Sequence, residues 1–221
     1  MRDAYHEALD AITDELVAMS RQVASMMQRA SVALLEVDRE RAEAVIEADE
    51  EVDSINQDIE LSTTELIALQ QPVATDLRMV VASMRISATL ERMGDLAQHV
   101  AKTARMRYPD PAVPPELATT FREMAEVADR MAAKMAMVLA SKDVELAREI
   151  ENDDDRMDDL HRKLFTVMLD KDWKHGVETA VDISLVGRYY ERYADHGVSV
   201  ARRVVYLVTG EKYEDVLSRQ E

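Results

Sequence analysis

Residues 91–105 read ERMGDLAQHVAKTAR, and one hundred positions later residues 191–205 read ERYADHGVSVARRVV. Both stretches open Glu-Arg, carry Asp at the fifth place, and carry Val and Ala nine and ten positions after the Glu. A second match lies upstream of each. DEEVDSIN (49–56) aligns with DDRMDDLH (154–161), pairing Asp49 with Asp154, Asp53 with Asp158 and Asn56 with His161 at a spacing of 105. The five-residue difference between the two spacings fits a connector shortened in the second half. Self-similarity of this kind marks a duplicated supersecondary unit.

The unit is helical. Ala, Glu, Leu, Arg, Met and Val dominate a chain with five Gly, five Pro and 5% aromatics, which favours helix over strand. Breaks fall at EVDRER (36–41), QQPVATD (70–76), YPDPAVPPE (108–116), SKDVE (141–145) and DKDWKHG (170–176), and Gly210 suits a C-terminal stop. Thr75 or Asp76 is placed to cap the third helix. The spacing predicts helices over about 2–36, 39–69, 74–107, 115–141, 143–170 and 175–209, each roughly 40–55 Å long at about 1.5 Å per residue. Short connections make neighbours antiparallel, so the expected architecture is all-α: two tandem three-helix bundles, over 1–108 and 115–215.

With 221 residues, 47% of them hydrophobic, the chain can bury one large core or two small ones. It has no cysteine, which excludes disulfides and thiolate metal sites and fits a reducing cytosol. The N-terminal MRDAYHEALD is charged where a signal peptide needs an apolar run, and no apolar stretch of about 18 residues occurs, so a soluble protein without membrane insertion is expected. A net charge of −17 argues against nucleic-acid binding. It suits cation binding, a basic partner, or simple solubility.

Acidic pairs at i and i+4 recur on the second and third helix of each half: Asp49 and Asp53 with Glu91 and Asp95, and Asp154 and Asp158 with Glu191 and Asp195. In antiparallel neighbours each set of four reaches one height. Like charges at this spacing repel, and a cation is one economical neutraliser. Oxygen donors suit Mg²⁺, Ca²⁺ or Mn²⁺; added imidazole from His99 or His161 shifts preference toward Fe or Zn. His196 follows Asp195 directly and points about 100° away. Arginine is the rival neutraliser, through Arg92, Arg192 and Arg188. The row Leu77, Val81, Met84, Ala88 reads as an inward face leading to Glu91 and Asp95. Its counterpart Val177, Val181, Ser184, Arg188 puts an arginine beside Glu191, so the first half is expected to be the better metal site. Gly94, matched by Ala194, is expected to permit close helix approach.

Other features read as structural. The 14 methionines are expected to fill core, ARRVV (201–205) to be a helix face with a cationic end, and Trp173 to anchor a loop.

The stretches VIEADEEVDSIN (45–56) and QPVATDLRMVVASMRISATLERMGDLAQHVAKTA (71–104), with the degenerate copies ENDDDRMDDLH (151–161) and YYERYADHGVSVARRVVYLVTGE (189–211), resemble the PhoU-type phosphate-signalling regulators over nearly the whole chain. The resemblance implies tandem three-helix bundles, a cytoplasmic location, a homodimer or higher oligomer, and no catalytic activity. It implies a negative regulator of high-affinity phosphate uptake and of the phosphate-starvation (Pho) regulon. The implied partners are the ATPase subunit of a phosphate ABC transporter and a membrane sensor histidine kinase. It implies Fe or Zn clusters in some members, carried here by Asp49, Asp53, Glu91 and Asp95, and by Asp154, Asp158, Glu191 and Asp195. Ala194, and Arg156-Met157 where the family tends toward Glu-Val, depart from the pattern in the second copy. Two other classes stand beside this one. A carboxylate-bridged di-metal enzyme would show Glu-x-x-His pairs, and Asp158-x-x-His161 is the nearest approach. A structural helical protein would carry its acids as solvated faces. No glycine-rich phosphate loop is visible.

Overall fold

A computed structural model describes residues 2–211 and 213. Six helices account for them: α1 (Arg2–Glu36), α2 (Arg39–Gln70), α3 (Ala74–Arg107), α4 (Pro115–Ser141), α5 (Val144–Met168) and α6 (Gly176–Thr209). The expected spans hold to within two residues at each end. The caps explain most of the boundaries. Asp38 accepts from the Arg41 amide at the start of α2, and Asp143 from the Glu145 and Leu146 amides at the start of α5. Pro115 opens α4, where its missing N–H costs nothing. Gly210 closes α6 in the left-handed conformation, its amide donating to the Tyr206 carbonyl. The cap expected at Thr75 or Asp76 is absent. Val73 holds that position without a side-chain bond, and Thr75 instead accepts from Arg78 inside the first turn.

Helices α1–α3 and α4–α6 form the two bundles. They are joined through α1 against α4 and through α3 against α6, and one apolar cluster runs through both. Met19, Met26, Met27, Met93, Met124, Met131, Met135 and Met157 are buried in it, as expected of gap-filling thioethers. Met106 and Met137 are exposed. Tyr190 of α6 reaches Ser31 of α1 in this interior at 2.5 Å. The Ser31 hydroxyl donates to the Met27 carbonyl, so Tyr190 donates to Ser31. Burial pushes the Tyr190 phenol well above its ordinary range. Trp173 anchors its loop by donating to the Gly176 carbonyl.

The inward face of α3 differs from the expected row. Leu77 and Ala88 are exposed, and Val81 and Met84 are only half-buried. The row that packs is Val80, Ser83, Ser87, Leu90, Gly94, Ala97, Ala101 and Ala104. The serines, Gly94 and alanines in this row let α3 lie close to α1, α2 and α6, while Ile86, Leu90, Met93 and Val100 fill the core beside them. The counterpart in α6 behaves alike: Val177 and Val181 are exposed.

The close approach itself occurs. A Cβ on Gly94 would stand 3.2 Å from Val52 Cγ1 and 3.3 Å from Asp49 Oδ1, so the glycine lets α3 lie against α2 at the height of the acidic pairs.

Candidate functional site

The duplicated motif places its carboxylates where the two helices of each bundle meet. In the first bundle Asp49 is buried on α2, one turn before exposed Asp53, while Glu91 and Asp95 sit at the edge of the α3 packing face. Asp53 and Asp95 are close enough to raise the proton affinity of Asp49 and Glu91. Burial first, then Asp95 and Asp53, push the Asp49 carboxyl up to about 6 from an ordinary 3.8. Burial and Asp95 raise Glu91 as well. The second bundle repeats this. Burial, Asp195 and Asp158 push Asp154 up to about 7, and burial and Asp195 raise Glu191. The structure therefore gathers all eight predicted residues into two matching groups of four.

Arginine supplies part of the neutralising charge in both groups. Arg188 pairs with Glu191, as the sequence suggested. The first group, with Ala88 at the position matching Arg188, uses the other expected arginine: Arg92 Nη1 stands 2.8 Å from Asp95 Oδ2 and its Nε 3.4 Å from Glu91 Oε2. Arg92 and Arg188 each stand three residues before the carboxylate they serve, so both groups have an arginine partner. The neutralisation is incomplete. Asp49 and Asp154 form no ion pair among the described residues, and Glu191 Oε2 is buried without a hydrogen-bond partner.

The histidines take different places. His99 donates from Nδ1 to the Asp95 carbonyl of its own helix at 2.6 Å, and its ring meets Tyr189 of α6 at 5.1 Å. His161 packs against Phe165 and beside Gly187 with Nε2 buried and unpartnered, and burial and Arg188 favour its neutral form. His196 lines the groove between α3 and α6 with Arg92 and Arg192, as its position after Asp195 requires. Arg156, one of the departures from the repeat, points away from the acids to Glu123 at 2.6 Å.

As donors, each carboxylate group fits a hard or borderline divalent cation. As the side chains are placed, no group of three or more His, Asp or Glu among the described residues converges at metal-holding distance. Sequence reasoning missed two buried acids that are structural. Asp153 is clamped by Lys134 at 2.9 Å and Arg130 at 3.4 Å. Asp182 meets Arg107 at 2.5 Å, with Glu178 on the same guanidinium, which ties the end of α3 to the start of α6. Their only sequence signal is an acid falling in an apolar row.

A duplicated three-helix bundle with an acidic pair on the second and third helix of each copy defines the class of protein. The PhoU domain matches residues 16–104 and again 121–204. The chain belongs to the PhoU family. It is 47% identical over 210 residues, covering 95% of this chain and 99% of the relative, to phosphate-specific transport system accessory protein PhoU homolog 2 of Mycobacterium tuberculosis. It is 32% identical over 219 residues to the PhoU homolog of Aquifex aeolicus, covering 96% of this chain and 97% of the relative. The crystal structure of PhoU from Pseudomonas aeruginosa superimposes with a TM-score of 0.85 at 26% identity, covering 94% of this chain and 100% of that one.

Proposed function

We propose that this chain is a non-enzymatic negative regulator of high-affinity phosphate uptake and of the phosphate-starvation regulon. It acts in the cytoplasm, as a homodimer, between the ATPase subunit of a phosphate ABC transporter and a membrane sensor histidine kinase. The observation that carries the reading is near-complete coverage by relatives named as accessory proteins of the phosphate-specific transport system. Among the described residues no helix is long and apolar enough to cross a membrane, which fits a peripheral partner of a membrane complex. Docking has surface to use: Leu69, Val73 and Leu77 at the tip of the first bundle, and Leu169, Val177 and Val181 at that of the second, are exposed. Preferential binding to one state of a partner shifts that partner's population without any chemistry by the regulator itself.

A divalent metal of the Fe or Zn class would be held by Asp49, Asp53, Glu91 and Asp95, and by Asp154, Asp158, Glu191 and Asp195. It would supply positive charge to carboxylates that arginine leaves partly uncompensated. Elemental analysis of the purified protein against Glu91→Ala/Asp95→Ala tests this, and equal, near-zero metal in both would remove metal from the account. The partner proposal is tested by biolayer interferometry of the purified chain on the immobilised transporter ATPase subunit. Saturable binding, lost in Leu77→Glu/Val177→Glu, is expected. Absence of binding with and without nucleotide would count against the transporter as the site of action.

A further inference from the structure

Arg78, Arg85, Arg92 and His99 recur every seven residues along α3, and Tyr189, His196, Arg203 and Gly210 do the same along α6 and its cap. The helices run antiparallel, which sets the two rows face to face. His99 meets Tyr189, Arg92 lies near His196, Arg85 lies near Arg203, and the Arg78 guanidinium lies against Gly210 and 6.0 Å from the centre of the Tyr206 ring. A heptad seam between packed helices is ordinarily apolar. This one is cationic, in a chain whose net charge is −17.

Toward the α3 C-terminus carboxylates answer the charge: Arg92 holds Glu91 and Asp95, and Arg107 holds Glu178 and Asp182. Toward Gly210 the arginines go unanswered. Arg78, Arg85 and Arg203 line a cavity of about 330 Å³ together with Leu77, Val81 and Tyr206, and no acid is part of its wall. Among the described residues none of the three forms an ion pair. Arg78 Nε is buried without a hydrogen-bond partner. Arg203 is half-buried and donates to the Ser199 carbonyl of its own helix; burial and neighbouring Arg85 hold it below the ordinary guanidinium range. Any side chain at position 210 would collide with the Arg78 guanidinium, so the glycine leaves room for the cation.

Arg78 and Arg203 are partly withdrawn from water without counter-charge, which is costly, and a bound anion offsets that cost, with exposed Arg85 able to reach the same ligand. Their planar forks match the oxygens of a phosphoryl group in pairs. The cavity is at the small end of the range for small-molecule sites. Its concavity suits a compact ligand better than an extended acidic segment. We propose that this cavity binds a phosphate-bearing small anion, its oxygens held by Arg78, Arg85 and Arg203 and any apolar part laid on Leu77, Val81 and the Tyr206 ring. The site lies at the opposite end of the seam from the acidic groups and does not depend on the regulatory reading.

Isothermal titration calorimetry of the full chain in low-salt buffer, with inorganic phosphate, pyrophosphate and ATP as probes, tests the proposal. Saturable binding of at least one probe is expected. Arg85→Gln, at an exposed position that folding tolerates, is expected to weaken it by about ten-fold or more, as is Arg203→Gln. Arg162→Gln, on the exposed face of α5, is expected to leave it unchanged. Should Arg203→Gln fail to fold by circular dichroism, Arg85→Gln alone decides. ATP binding more tightly than pyrophosphate, with the advantage lost in Tyr206→Ala, would identify a nucleotide; binding of inorganic phosphate alone would identify free phosphate. No saturable binding of any probe, or binding undiminished in Arg85→Gln, would overturn the proposal. So would binding of a poly-glutamate peptide alone, which would assign the cavity to an acidic protein segment.

Discussion

Replacing Asp49 with asparagine should make the metal-free protein more stable at neutral pH. Asp49 is buried against Gly94, faces Asp53 and Asp95, and has its carboxyl pushed up to about 6 from an ordinary 3.8. A folded-state value above the unfolded one means that the native chain binds the proton more tightly. Stability from this group is therefore fully present below about pH 4 and is lost as the pH rises toward about 6. A displacement of about two pH units corresponds to about 3 kcal/mol at about 1.4 kcal/mol per unit. Exposed Asp53 and half-buried Asp95 are screened by water, which brings the expected gain in Asp49→Asn to about 1–2 kcal/mol. Urea unfolding in chelator, at intervals from pH 4 to pH 8, measures it. The two proteins should coincide near pH 4 and diverge to a plateau above about pH 6.5, with the variant the more stable. A variant less stable at pH 8, or a difference independent of pH, would refute the view that Asp49 is an uncompensated buried carboxyl.

Three further outcomes follow from the packing. Ser31→Ala should cost about 1–3 kcal/mol in urea unfolding, because it strands the buried Tyr190 hydroxyl, and adding Tyr190→Phe should recover most of the loss. Gly94→Ala should be close to neutral, about 1 kcal/mol of helix propensity offsetting the tight contacts on Val52 and Asp49. Gly94→Val, which adds bulk there, should destabilise by about 1–3 kcal/mol. Arg107→Ala should lower the thermal midpoint by leaving buried Asp182 without its cation, and Arg107→Ala/Asp182→Asn should restore part of it.

The repeat made much of this legible. ERMGD and ERYAD, each with its upstream acid pair, led to the duplication, the helix count and the eight carboxylates, because a 3.6-residue period and a few prolines leave little choice in an all-helical chain. Gly94 was readable for the same reason. Face assignment was less readable. Large apolar residues at Leu77 and Val81 suggested the core side of α3, whereas the packed row lies one position earlier, through Val80, Ser83, Ser87, Leu90 and Gly94, with Ile86 and Met93 buried beside it. Arg92 as a partner of Asp95 could have been found from its i+3 spacing. The heptad of Arg78, Arg85 and Arg92 was visible as spacing alone. Its meaning depends on the α6 row that meets it, which is a fact of tertiary packing.

The central claim is that this chain restrains the phosphate response. Deleting its gene in the host and assaying secreted phosphatase and phosphate uptake in high-phosphate medium tests it most directly, together with deletion of any paralogue. The account predicts phosphatase and uptake switched on despite abundant phosphate, and repressed again when the gene is restored. Properly repressed activity in the strain lacking the gene and every paralogue would contradict it.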